Sequence, residues 1–78
     1  MKELIELIAK SLVDNPDKVQ VTQLDGEQSS IIELKVAPED IGRIIGKQGR
    51  NVQAIRVILG ASGMMLKKRY NLELIEKE

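Results

Sequence analysis

Ile44-Ile45-Gly46-Lys47-Gln48-Gly49-Arg50 is an apolar pair running into two glycines that bracket a basic and a polar residue. Two glycines within four residues break whatever helix Ile44 and Ile45 belong to. If a helix restarts near Arg50, its first main-chain N–H groups have no partner inside it. With no Cβ at positions 46 and 49, an anion can lie against the main chain beside those N–H groups. The stretch reads as a backbone grip for phosphates. Taken alone, it reads as well as an ordinary tight turn whose glycines supply positive φ.

The flanks predict the fold. Upstream, Ala37-Pro38-Glu39-Asp40 has a proline suited to a first helical turn and two acids suited to the positive end of a helix dipole, predicting a short helix toward Ile45. Downstream, Val52, Ile55, Ile58 and Leu59 recur at helical spacing and predict a second helix from about Arg50, with those four on its buried side. Gly60-Ala61-Ser62-Gly63 falls late in it, where each glycine costs ~1 kcal/mol relative to alanine. Either the helix stops near Leu59 or something packs closely there, and we take it on to about Met65.

Further out, Leu4, Ile5, Ile8 and Leu12 predict an amphipathic helix from Lys2 to Val13, ended by Asp14-Asn15-Pro16. Val19 and Val21 alternate with Lys18, Gln20 and Thr22 in a strand that stops at the turn pair Asp25-Gly26. Ile32, Leu34 and Val36 form the return strand. Tyr70, Leu72 and Leu74 form a third, before a charged tail. The order is αββααβ. Strands separated by a helix pair run parallel, so an α+β fold is expected, with a three-stranded mixed sheet and helices on one face. Seventy-eight residues suffice for one domain spanning the chain.

A net charge of zero conceals a strong asymmetry. From Ile41 to Leu72 there are seven basic residues (Arg43, Lys47, Arg50, Arg56, Lys67, Lys68, Arg69) and no acid, so this window carries +7 and the remainder −7. A placed basic patch on a neutral chain points to phosphate backbones. The chain has no cysteine and no histidine, which removes disulfides, Cys/His zinc sites, thiol nucleophiles and imidazole chemistry together. Glu39 and Asp40 are adjacent, face different ways and have no such partner, so helix-start chemistry explains them better than acid/base catalysis. Gly42 with Gly46-Lys47 resembles a phosphate-binding loop of nucleotide hydrolases, but only three residues separate the glycines and Gln48 follows the lysine. We therefore expect a non-enzymatic protein without metal or cofactor. The N-terminus is too acidic for a secretory signal and no apolar run approaches ~18 residues, which points to the cytoplasm and away from membranes.

The glycine motif and the element order together resemble the KH domain in its type II, prokaryotic form, with Ile45-Gly46-Lys47-Gln48-Gly49 at the I-G-x-x-G signature. The run from Asp40 to Arg50 is similar to the small stand-alone KH proteins of bacteria, the KhpA family, and the resemblance covers essentially the whole chain. It implies a groove for about four unpaired nucleotides of RNA. Gly46, Lys47, Gln48 and Gly49 would clamp the RNA backbone while Arg50 and Arg43 extend the positive field. Ile41, Ile44, Ile45 and Val52, with Ile32 and Leu34 on an edge strand, would form an aliphatic floor. With no Phe or Trp, and Tyr70 as the one aromatic residue, base stacking of the usual kind is scarce. The resemblance also implies self-association, pairing with a larger RNA-binding protein of the Jag/KhpB type, and work as an RNA chaperone or post-transcriptional regulator. The alternative is a KH scaffold used for protein interaction or dimerisation, with little RNA binding.

Two further segments have rival readings. Gly60, Ala61, Gly63 and Met64 form either a loosely packed helix end or a dimer interface, since small residues admit another backbone and methionine adapts to partners. Lys67-Lys68-Arg69 reads first as a solvated lead-in to a strand that complements the helix C-terminus, and second as an accessory phosphate contact.

Overall fold

The computed structural model describes residues 1–76, so Lys77 and Glu78 of the expected charged tail lie outside the described residues. The elements are α1 (Lys2–Leu12), β1 (Gln20–Asp25), β2 (Ser29–Val36), α2 (Ile41–Ile45), α3 (Arg50–Leu66) and β3 (Arg69–Glu76). Short 3₁₀ turns at Pro16–Lys18, Pro38–Asp40 and Lys47–Gly49 precede β1, α2 and α3. The order is the expected αββααβ, and this is an α+β fold of the type II KH pattern. Lys18 falls in a turn opened by Pro16, so β1 begins two residues later than the alternation suggests.

β1 and β2 form an antiparallel hairpin registered from Gln20↔Lys35 to Asp25↔Ser30, and β3 joins β2 in parallel from Ser29↔Arg69 to Val36↔Glu76. The sheet is therefore mixed, in the order β1-β2-β3. β2 is its central strand. This corrects the expectation of an edge strand for Ile32 and Leu34: both are fully buried, together with Val36 on the same face, under the helices. Alternation in β2 fixes which face is buried but not which strands lie beside it.

The core joins Ile5 and Ala9 of α1, Val21 of β1, the inner residues of β2, Ile44 of α2, Ile55 and Leu59 of α3, and Leu72 of β3. On α3 the buried line is Ile55, Leu59 and Gly63, at i+4 steps, with Val52 partly buried beside it. Ile58 lies beyond that line and stays 38% exposed, correcting its placement on the buried side. Among the described residues no helix is long and apolar enough to cross a membrane.

Two local devices position α2 and α3. Asp40 is almost fully buried, and its carboxylate accepts hydrogen bonds from the main-chain N–H of Asp14 (3.2 Å) and Asn15 (3.1 Å) and from Asn15 Nδ2 (3.0 Å). It ties the chain leaving α1 to the head of α2 and makes no side-chain cap to its own helix. Burial is the largest influence on this carboxyl and would raise its pKa. The Asn15 side-chain bond and the two main-chain bonds outweigh it and leave the pKa below the ordinary value. At the other end, Lys67 adopts the left-handed region (φ 54°, ψ 42°) and the Lys68 N–H bonds the Gly63 carbonyl at 2.8 Å, a Schellman closure of α3.

Candidate nucleic-acid interface

Four residues join α2 to α3, and each conformation has a cause. Gly46 has φ 77° and ψ 174°, a region essentially confined to glycine. A Cβ there would also fall 2.6 Å from Asn51 Cγ. Asn51 occupies that space because its Nδ2 donates 2.8 Å to the Arg43 carbonyl, satisfying an orphan acceptor in the last turn of α2 and setting how the two helices meet. Sequence reasoning missed Asn51. Only its position in the first turn of the restarted helix hints at the role.

Lys47 is followed by Gln48 and Gly49, both left-handed (φ 57°, ψ 27° and φ 74°, ψ 14°). Successive main-chain N–H groups in a turn of this kind can cradle an anion. The neighbouring turn bonds run from Gly46 N–H to the Gly42 carbonyl (2.8 Å) and from Gly49 N–H to the Gly46 carbonyl (3.1 Å). A non-glycine residue held left-handed costs on the order of 1–3 kcal/mol, and Gln48 is held there by its neighbours. Its Oε1 accepts from Arg50 Nη2 at 3.2 Å. Gly49 (φ 74°) serves as the N-cap of α3 without a side chain, and nothing lies within 4 Å of where its Cβ would sit. The approach to the first N–H groups of α3 is therefore open.

The expected site residues divide in the structure. Gly46, Lys47, Gln48, Gly49 and Arg50 form one contiguous loop, with the Lys47 and Arg50 side chains exposed. Ile41 and Ile45 share one side of α2 at i+4 and retain accessible surface, as does Val52 at the start of α3. Ile44 is fully buried and so supports this wall from beneath without surfacing it. Ile32 and Leu34, buried in the central strand, are no part of any floor.

Arg43 is not a free cation. Its Nη2 lies 2.9 Å from Asp14 Oδ2, with the two side chains 56% and 66% exposed. An exposed pair of this kind is worth no more than about 1 kcal/mol. Asp14→Asn should therefore leave stability within ~0.5 kcal/mol of native while releasing a charge beside the loop. If the loop grips a polyanion, the affinity of Asp14→Asn should rise about three-fold and its salt slope should steepen by ~0.7. Equilibrium titration at two ionic strengths reads both, and identical curves would leave Arg43 outside the interface.

The residues expected at a dimer interface also divide. Gly60, Ala61 and Met64 are exposed. Gly63 is buried, and a Cβ there would run into the Lys68 carbonyl oxygen, so it serves the internal closure of α3 and cannot surface an interface.

The family model described as KhpA/KhpB, KH domain, matches residues 2–74. The chain is 59% identical to the RNA-binding protein KhpA of Clostridium acetobutylicum over 75 residues, covering 96% of this chain and all of that protein. It is 59% identical, with the same coverage, to the RNA-binding protein KhpA of Caldanaerobacter subterraneus subsp. tengcongensis. The RNA-binding protein KhpA of Aquifex aeolicus is 51% identical over 76 residues, 97% of this chain and 96% of that one. No solved structure matches the chain significantly.

Proposed function

The chain belongs to the KhpA/KhpB family of KH-domain proteins, and on that premise we propose that it binds single-stranded RNA without catalysing a reaction. The single observation that carries this reading is the Gly46–Gly49 turn, in which Gly46, Gln48 and Gly49 all hold positive φ and which leads into a helix start with no side-chain cap and open space at Gly49. In this reading Gly46 to Gly49 grips the sugar-phosphate backbone, Lys47 and Arg50 supply charge, and Ile41, Ile45 and Val52 receive bases. Relatives named as RNA-binding proteins over nearly their whole length support it.

The test is binding of a short unpaired RNA at several salt concentrations. Contact with two or three phosphates should give a log–log slope of about −1.5 to −2, hence roughly 30- to 100-fold weaker binding for a tenfold rise in salt. Association that ignores salt, or no association at all, would favour the rival use of the fold as a protein-interaction scaffold.

Self-association is a second element of the proposal, supported by the outer face of α3. Val57, Ala61 and Met65 follow one another there at i+4, flanked by Met64, and Met64 and Met65 are 84% and 86% exposed. Gly60 borders that face with open space around it. A family model that spans KhpA and KhpB supports pairing with a larger KhpB-type protein as well. Work as an RNA chaperone in the cytoplasm, by a single domain of residues 1–78, completes the reading.

A further inference from the structure

At the end of α3 opposite the glycine loop, an open concavity of about 770 Å³ lies between the helix terminus and the starts of β2 and β3. It is lined among others by Lys67, Arg69, Tyr70, Met64, Gln28 and Ser29. Lys68 beside them is committed to Asp25 at 3.0 Å, so the hairpin acid next to the concavity is already paired. Among the described residues neither Lys67 nor Arg69 joins an ion pair. Lys67 occupies the left-handed helix-closing position where glycine is the ordinary residue. Tyr70, the one aromatic ring of the chain, is half-buried there and also lines a smaller neighbouring hollow with Arg56.

This concavity lies in line with the glycine loop. Gly49, Val52, Arg56, Gly60 and Lys67 fall on one side of α3 at steps of three, four or seven residues, a side that leads from the loop past Arg56 to the helix end. β3, which borders the same seam, is an edge strand of the sheet among the described residues. We infer that the concavity is a second contact for the same RNA strand, with phosphates on Lys67 and Arg69 and a base against the Tyr70 ring. Aromatic stacking and cation contact are what unpaired nucleotides ordinarily use, and the glycine loop offers no ring. This inference rests on the RNA-binding reading. It makes the footprint longer than four nucleotides: the 17 residues of α3 span about 25 Å. At ~3.4 Å per stacked nucleotide, that distance takes about eight more.

The experiment compares RNAs of about four and about twelve nucleotides on the full chain, by amide NMR titration and by the fluorescence of Tyr70, which no tryptophan obscures. The native protein should bind the longer strand at least ~10-fold more tightly, with Tyr70 quenched and shifts at both the glycine loop and residues 67–70. In Lys67→Gly/Arg69→Gln, chosen because glycine suits the left-handed position, the short strand should bind as before while the length gain and the quenching disappear. If the longer strand leaves Tyr70 untouched and the variant binds both RNAs as the native chain does, the second contact is wrong although RNA binding stands. If the native chain binds neither RNA, the RNA reading itself fails and takes this inference with it. Quenching by an oligoglutamate peptide with none by RNA would assign the concavity to an acidic protein segment and overturn the inference.

Discussion

Lys47→Asp/Gln48→Asp is expected to abolish RNA binding while leaving the fold intact. Both side chains are exposed, and the loop conformation is set by Gly46, Gly49 and the Asn51 bond to the Arg43 carbonyl, none of which the double substitution touches. It removes one side-chain hydrogen bond, the exposed one that Arg50 donates to Gln48. Aspartate enters the left-handed region more readily than glutamine, so position 48 should be less strained than before. Electrostatically the change is severe: Lys47→Asp replaces a positive charge by a negative one, and Gln48→Asp adds another where phosphate oxygens should sit. Like charges brought together at an interface cost several kcal/mol. Even ~3 kcal/mol weakens binding more than 100-fold. The measurement is a dissociation constant for short unpaired RNA beside circular dichroism and a melting curve of the same sample. A folded variant that binds as the native chain does would remove the loop from the clamp and leave the KH fold as a scaffold.

The parts of this design that the sequence discloses are those decided within a few residues. Gly46 and Gly49 interrupt a helical pattern at a spacing that demands positive φ, and both adopt it. Asp25-Gly26 announces the hairpin, and the switch from period two to period 3.6 marks where β2 yields to helices. What stays hidden depends on groups far apart in the chain. Asp40 looks like an ordinary helix-start acid, yet its partners at Asp14 and Asn15 lie 26 and 25 residues earlier. Arg43 reads as a free cation until α1 and α2 are brought together and Asp14 claims it. Ile32 and Leu34 carry the right alternation for an exposed or a buried position, and only the crossover through α2 and α3, which lays β3 beside β2, decides that they are sealed in the sheet centre. The same separation conceals Tyr70 and Lys67 as neighbours of Ser29, distant in sequence but adjacent where the parallel strands begin.

Gly63→Ala should destabilise the protein sharply, while Gly60→Ala, three residues earlier in the same helix, should stabilise it. Local propensity treats the two alike, since each exchange lowers backbone entropy lost on folding and favours helix by ~1 kcal/mol. Their surroundings separate them. Gly60 has no atom within 4 Å of an added Cβ, so the helix gain of up to ~1 kcal/mol should be realised in full. At Gly63 the added Cβ meets the Lys68 carbonyl oxygen, a main-chain atom held by the Schellman closure and by the start of β3, and it crowds the Tyr70 ring at 3.5 Å. Side-chain rotation cannot relieve a main-chain clash, so α3 must shift from β3 or its last turn must unwind, at a cost of about 3 kcal/mol or more. For a domain of this size stability is of order 4–12 kcal/mol and each kcal/mol moves the melting temperature by roughly 4–8 °C. Gly63→Ala should therefore melt at least ~12 °C lower, and Gly60→Ala a few degrees higher. Two melting curves decide it. Equal and small changes in both would mean that α3 can end elsewhere without cost, and that the close approach of Gly63 to Lys68 is not what keeps the helix packed on β3.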